Sequence, residues 1–417
     1  MELKLLDVFK REWLYIFKTP KIFAILFIVP IAYTLLFGYA YSAHTLTEIK
    51  TVVVDYDNSQ LSRQIIQAFH ESESFQITGY VNNEKEIEEA LALGEVKVGL
   101  VIPENFYGSL IKGENVPLLT LIDGSNLIFT NYATRAANTI VSTYSFGTSA
   151  TKLQQAGLHE AEVISTLSHI PYRSRILYNP TSNYSTFLVY GLVGTILQQV
   201  LFLGVSLTIT REKENGMWSH FAQWKYTPWN LALVKTAPYF LINLINTLTT
   251  LYLCLYLFKL PLEGNVLPLF VLSCSFAFSV LGFGYLASLF ADTQLTATQV
   301  TMLVAVPSFV LSGYTWPFEG IPNFLVGVAQ ALPLTHYLEG FRHIVIKGNS
   351  WDYIWNDIIS LLLIGMISFL LAFLATRFLF FRENKGTLLS DAKDPFRLDN
   401  PEVLNSVSET NQYRVEK

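Results

Sequence analysis

The chain alternates between long apolar stretches and short polar ones. Residues 22–41, 184–209, 236–258, 266–290, 294–314 and 358–376 contain no Asp, Glu, Lys, Arg or His. Each has about 20 residues or more, enough at ~1.5 Å per residue for a helix to cross a ~30 Å hydrocarbon layer. Backbone in lipid must satisfy its own hydrogen bonds, so the pattern predicts six membrane-spanning helices. Ahead of the first, Leu6, Phe9, Trp13, Ile16 and Phe17 recur at helical spacing, with Lys4, Lys10, Arg11 and Lys18 between them. This predicts an amphipathic helix over residues 1–21, lying in the membrane interface or packed on the spans. The first apolar run, 22–42, is too long for the core of a cleaved leader and is read as a retained span.

Between the first and second spans the pattern changes. Short runs rich in Val and Ile at 51–55, 75–80, 97–102 and 118–122 read as strands. Helical patterns separate them: one capped by Asn58 or Ser59 and running to about His70, another over 83–93. Strands alternating with helices predict a small α/β sheet in a domain over 43–183. A long helix over 126–167 and a return to the membrane over 172–177 complete it. The predicted class is therefore an α-helical polytopic membrane protein of six spans with an inserted α/β domain. Spans 2–6 occupy 184–381, and a polar tail over 382–417 is expected to be disordered from about 389.

Lys and Arg near span ends set the orientation. Lys4, Lys10, Arg11, Lys18 and Lys21 put the N-terminus in the cytoplasm, and Arg377, Arg382 and Lys385 after the last span agree. The α/β domain is then extracytoplasmic, and residues 211–229 are cytoplasmic. Within the latter, Arg211, Glu212, Lys213 and Glu214 precede Gly216, and Trp218, Phe221, Trp224 and Trp229 follow. The charges fit a solvated helix end. The aromatic groups fit either a protein partner or headgroup anchoring. Residues 315–345 are too broken by Pro and Gly for a span and too apolar for an open loop, which predicts a re-entrant segment. Trp316, Pro317, Glu319 and Pro322 lie at its start; Glu319 is read as a cap or as part of an exit gate. Gln198, Gln199, Asn243, Asn246 and Gln299 lie within spans, where they bond between helices or line a substrate path.

Composition narrows the function. Only 15% of the 417 residues are charged, the net charge is −5, and no basic patch for nucleic acid stands out. Cys254 and Cys274 both fall in apolar spans and read as buried thiols, not a metal site. No carboxylate sits at mid-span, where proton- or ion-driven carriers usually keep one. The chain has no Gly-Lys pair, hence no phosphate loop, and no catalytic signature of the zinc-protease or serine-hydrolase kind. Energy for any transport is therefore expected from a separate subunit, and the chain is not expected to be an enzyme. The rival reading is a membrane-anchored binding or scaffold protein whose outer domain does the work.

Several motifs, in order along the chain, resemble the permease subunit of type-2 ABC exporters, in the branch with a large domain after the first span. They are Leu36-Phe37-Gly38-Tyr39-Ala40; Val53-Val54-Asp55-Tyr56-Asp57-Asn58-Ser59; Gly94-Glu95-Val96 with Val101-Ile102-Pro103; and Ile122-Asp123-Gly124-Ser125-Asn126. Tyr178-Asn179-Pro180, Arg211-Glu212-Lys213-Glu214-x-Gly216 and Leu311-Ser312-Gly313 with Pro317-x-Glu319-x-x-Pro322 continue the series. Leu332-Pro333-Leu334-Thr335 and Glu339-x-x-Arg342 end it. The resemblance implies two permeases, identical or paralogous, docked on two ABC ATPase subunits that carry ATP and Mg. It assigns ATPase coupling to Arg211, Glu212, Lys213, Glu214, Gly216, Trp218 and Phe221. It also implies membrane lipid as surroundings and, in a cell with a second membrane, a periplasmic adaptor. The chain departs from the family where Trp218 to Lys225 replaces a shorter aliphatic run, with Thr227-Pro228 coming later.

Overall fold

A computed structural model describes residues 5–41, 47–112, 114, 116–155, 177–179, 183–223 and 226–391. The chain forms two compact units, residues 43–176 and the remainder. The larger unit begins with α1 (Leu5–Lys18) and continues in the first apolar helix, α2 (Pro20–Ala40). Pro30 has no N–H to donate, and a π-helical turn over Ala24–Ile28 precedes it. The Leu26 carbonyl in that turn instead accepts a 2.8 Å bond from Asn246 Nδ2.

After the inserted unit come α7 (Tyr184–Glu214), the short α8 (Met217–Gln223), α9 (Pro228–Leu257), α10 (Val266–Phe290) and α11 (Gln294–Leu311). Two short helices follow, α12 (Asn323–Gln330) and α13 (Pro333–Val345), and then α14 (Trp351–Asp391). Among the described residues, six helices are long and apolar enough to cross a membrane: α2, α7, α9, α10, α11 and residues Trp351–Glu383 of α14. Most extend past the charge-free cores read from sequence, because the helix ends carry their charges outward. Residues 184–214 and 266–290 form the centre: 67% and 61% of their apolar windows are buried, against 22% for α2 and α11. The peripheral helices show lipid or a partner their large apolar side chains, among them Leu36, Leu303 and Val306. α10 and α14 cross closely: a Cβ on Gly282 would lie 3.0 Å from the Gly365 carbonyl.

The inserted unit holds β1 (Ile49–Asp55), α3 (Gln60–Glu71), β2 (Phe75–Tyr80), α4 (Glu84–Leu93), β3 (Val98–Ile102), α5 (Phe106–Lys112), β4 (Leu119–Ile122) and α6 (Leu127–Gln155). The sheet order is β2-β1-β3-β4. β1 pairs in parallel with β2 and β3, with Val53 opposite Leu100, and β4 closes the sheet antiparallel. Val53, Leu100 and Ile102 face a core shared with Ile65, Phe69 and Ala133. Val52, Val54 and Val101 face Ile87 on the other side. Both faces of β1 and β3 are covered, so their sequences read as continuous apolar runs. Ser59, not Asn58, caps α3, accepting the Ser62 N–H. The predicted helix over 126–167 is described to Gln155; its remainder, residues 172–176 of the return at 172–177 and the tail beyond 391 lie outside the described residues.

Candidate functional site

The four charges at the end of α7 each go to a different neighbour. Arg211 Nη2 bonds both carboxylate oxygens of Glu12 at 2.7 Å, which ties α7 to α1. Glu212 accepts from Lys235 Nζ of α9 at 2.5 Å and from Arg11 Nη2 of α1 at 3.0 Å. Lys213 Nζ donates to the carbonyls of Leu289 and Ala291 at 2.6 and 3.1 Å, satisfying the orphan acceptors where α10 ends. Glu214 accepts the Gln294 backbone N–H at 2.7 Å and the Gln294 side-chain amide, at the start of α11, where the helix dipole favours an anion. One tetrapeptide thus holds four other helices at one end of the bundle.

At its heart Glu12, Glu212, Arg211 and Lys235 are 0, 0, 5 and 1% exposed at their side chains. Two anions and two cations balance. Lys235 Nζ also lies 2.8 Å from Glu12, and the Tyr239 hydroxyl donates to Glu12 at 3.1 Å. The Arg211 guanidinium stacks 3.6 Å over Tyr15, and Lys235 Nζ sits 5.7 Å over Phe221. Burial alone pushes the Glu12 carboxyl up, but the Lys235 and Arg211 charges overcome this and hold it at about 2. Ionised at every physiological pH, it acts as a fixed electrostatic pin.

Gly216, with φ of +70°, turns the chain into α8. Trp218 and Phe221 are buried; Trp218 packs on Phe380 of α14 with ring centroids 4.9 Å apart. Of the seven residues assigned to coupling, Arg211, Glu212, Trp218 and Phe221 are therefore interior. Glu214 and Gly216 are exposed, as are His220 and Gln223 of α8. Trp224 and Lys225 lie outside the described residues. Trp229 is exposed and stacks on Phe373.

Sequence reasoning missed Glu12, Tyr239 and the ion-pairing of Lys235. A signal for Glu12 existed: it falls between Val8 and Ile16 at four-residue spacing, and these three form the buried edge of α1. Leu6 and Phe17, expected on the apolar face, are exposed. That face thus has two parts, one packed on the bundle and one turned outward.

At the far end of α7, Tyr314 is buried against Phe187 and Gly191. Trp316, Pro317, Glu319 and Pro322 are all exposed nearby in sequence. Gln198 and Asn243 are buried, and Gln198 Oε1 and Asn243 Nδ2 have no hydrogen-bond partner among the described residues. Gln198 borders a narrow gap with Phe202, Val280, Phe283, Val304 and Ser308. Asn246 serves the Leu26 carbonyl, Gln199 is half-buried and Gln299 is exposed. Of the five, Gln198 alone lines that gap. His336 Nδ1 and Asp357 Oδ1 form a buried pair 3.7 Å apart between α13 and α14.

The family described as ABC-2 family transporter protein matches residues 20–374. The probable multidrug ABC transporter permease YbhR of Escherichia coli is 24% identical over 361 residues, 87% of this chain and 95% of its own length. The inner membrane transport permease YhhJ of the same species is 24% identical over 349 residues, covering 81% and 86%. The linearmycin resistance permease protein LnrN of Bacillus subtilis is 23% identical over 387 residues, covering 90% and 97%. A helical bundle whose charges gather at one end of the second span, together with a family match across both units, makes this chain a member of the ABC-2 transporter family, a multi-pass permease subunit.

Proposed function

We propose that this permease exports amphiphilic compounds, driven by ATP hydrolysis in ABC ATPase subunits that seat against residues 211–229. The observation that carries the reading is the commitment of Arg211, Glu212, Lys213 and Glu214 to α1, α9, α10 and α11. A push on α8 is thereby delivered to the whole bundle, because α8 is joined to α7 by Gly216 and to α14 through Trp218. In this reading Glu214, Gly216, His220 and Gln223 touch the ATPase, while Arg211, Glu212, Trp218 and Phe221 transmit. Two permeases, identical or paralogous, face each other across the cargo path. ATP and Mg are held by the ATPase alone. The hub end is cytoplasmic, the inserted α/β unit is extracytoplasmic and open to a periplasmic adaptor, and Trp316, Pro317, Glu319 and Pro322 flank the exit. The amphiphilic cargo class is supported by relatives named for multidrug and linearmycin resistance and by spans without mid-membrane charge.

The test is purification of the tagged chain from native membranes, identification of the ATPase that follows it, and reconstitution of the complex with an amphiphilic fluorescent dye. ATP-dependent dye movement, lost when the ATPase is omitted, is expected. Dye movement driven by a proton gradient in vesicles holding the permease alone would overturn the reading.

A further inference from the structure

The end of α7 opposite the charge hub meets the turn that follows α11 through a buried ring. Tyr314 is 3% exposed and lies in a notch on α7 that exists because residue 191 is glycine. A Cβ there would be 2.3 Å from the Tyr314 ring. The ring stacks on Phe187 with centroids 5.3 Å apart, and its hydroxyl donates to the Phe187 carbonyl at 2.5 Å. On the ring, the Arg342 guanidinium of α13 lies 4.6 Å from the centroid. Arg342 Nη2 also reaches the Gly313 carbonyl at 3.4 Å, at a residue whose φ of +74° turns the chain out of α11. Tyr314 therefore joins α7, α13 and the turn that begins the 315–345 segment.

What lies between this ring and the hub is one unbroken helix. α7 has no proline and no π-turn, whereas α2 and α9 contain both and Pro307 lies inside α11. Gly191 and Arg211 are twenty residues apart, or ~30 Å along the axis. A stiff helix gripped at both ends moves both ends together.

We infer that Tyr314 is a positioning residue that latches the 315–345 segment to α7, so that displacement of the charge hub is delivered to the opposite mouth of the permease. This rests on the reading of residues 211–229 as the ATPase seat.

The test is independent of cargo. In the full complex, Cys254 and Cys274 are replaced by Ala and the exposed Glu319 by Cys, and maleimide labelling is timed with and without ATP plus vanadate. With Tyr314 intact, nucleotide should change the labelling rate at least threefold. Tyr314→Ala should abolish that change while ATP hydrolysis by the complex stays within twofold. Tyr314→Phe, which keeps the ring in its notch, should retain most of the response. Gly191→Ala should mimic Tyr314→Ala, and Gly191→Ala combined with Tyr314→Leu should recover part of the response, an outcome a general loss of stability would not produce. An undiminished nucleotide response in Tyr314→Ala overturns the latch, as does no response with Tyr314 intact. Neither result touches the proposed ATP-driven export, whose own test is ATP-dependent dye movement.

Discussion

Glu12→Gln isolates the worth of the buried hub. The substitution keeps the shape, removes one of two buried negative charges and turns one acceptor oxygen into an amide donor among the donors Arg211, Lys235 and Tyr239. Arg211 and Lys235 then share Glu212 alone, and one Glu212 oxygen is already engaged by Arg11. The four-charge interior goes from balanced to one excess cation with almost no access to water. Breaking a buried pair in this way typically costs about 3–5 kcal/mol, whereas losing an exposed charge costs about 0–1 kcal/mol. At about 2 °C per kcal/mol for a bundle of this size, the apparent unfolding midpoint in detergent should fall by roughly 6–10 °C. The exposed Glu214→Gln should lose at most about 2 °C. Adding Lys235→Met to Glu12→Gln restores the balance and should recover at least half of the loss. The Glu12 carboxyl titrates near 2 against an ordinary 4.5, so its contribution is complete above pH ~4.5 and is lost as pH falls toward 2. The deficit of Glu12→Gln should therefore be equal at pH 5.5 and pH 8. A midpoint within about 2 °C of the unsubstituted protein, or a double variant whose losses simply add, would refute the argument.

Two further outcomes follow from packing and charge elsewhere. Burial lowers the His336 pKa, but Asp357, the Gln330 carbonyl and Glu339 outweigh it and raise the value above the usual range. The stabilisation His336 gains is thus complete below pH ~6.5 and lost as pH rises through the higher folded value. The midpoint difference between the unsubstituted protein and His336→Gln should shrink between pH 5.5 and 8.5; a constant difference would exclude this pairing. Gly282→Val places two methyl groups where α10 meets the Gly365 carbonyl and Phe369, 3.0 Å from a single Cβ. Overpacking of about 1–3 kcal/mol is expected, read as a lower midpoint, and an unchanged one would mean the α10–α14 crossing is looser than its geometry.

The six spans and the α/β insert were legible because each has a one-dimensional signature. A lipid-crossing helix must exclude charge for about 20 residues, and a strand covered on both faces must be apolar throughout. The strand at 75–80, at the sheet edge, was also read to the residue, from the alternation that leaves Gln76, Thr78 and Tyr80 exposed. The Arg211–Glu214 run was also visible, yet as a solvated helix end. Alternating charge looks the same on paper whether it meets water or four partner helices.

What the sequence determined by itself is which segments enter the membrane, which form the sheet and where charge is concentrated, because transfer free energy and pattern period act along the chain. Tertiary structure alone decided that Glu12, 199 positions before Arg211, closes the hub. It likewise decided that Tyr314 fits the Gly191 notch and that Asn246 serves the Leu26 carbonyl freed by Pro30. These pairings depend on which helix faces are brought together, and that is set by packing in three dimensions, not by any local preference of the residues involved.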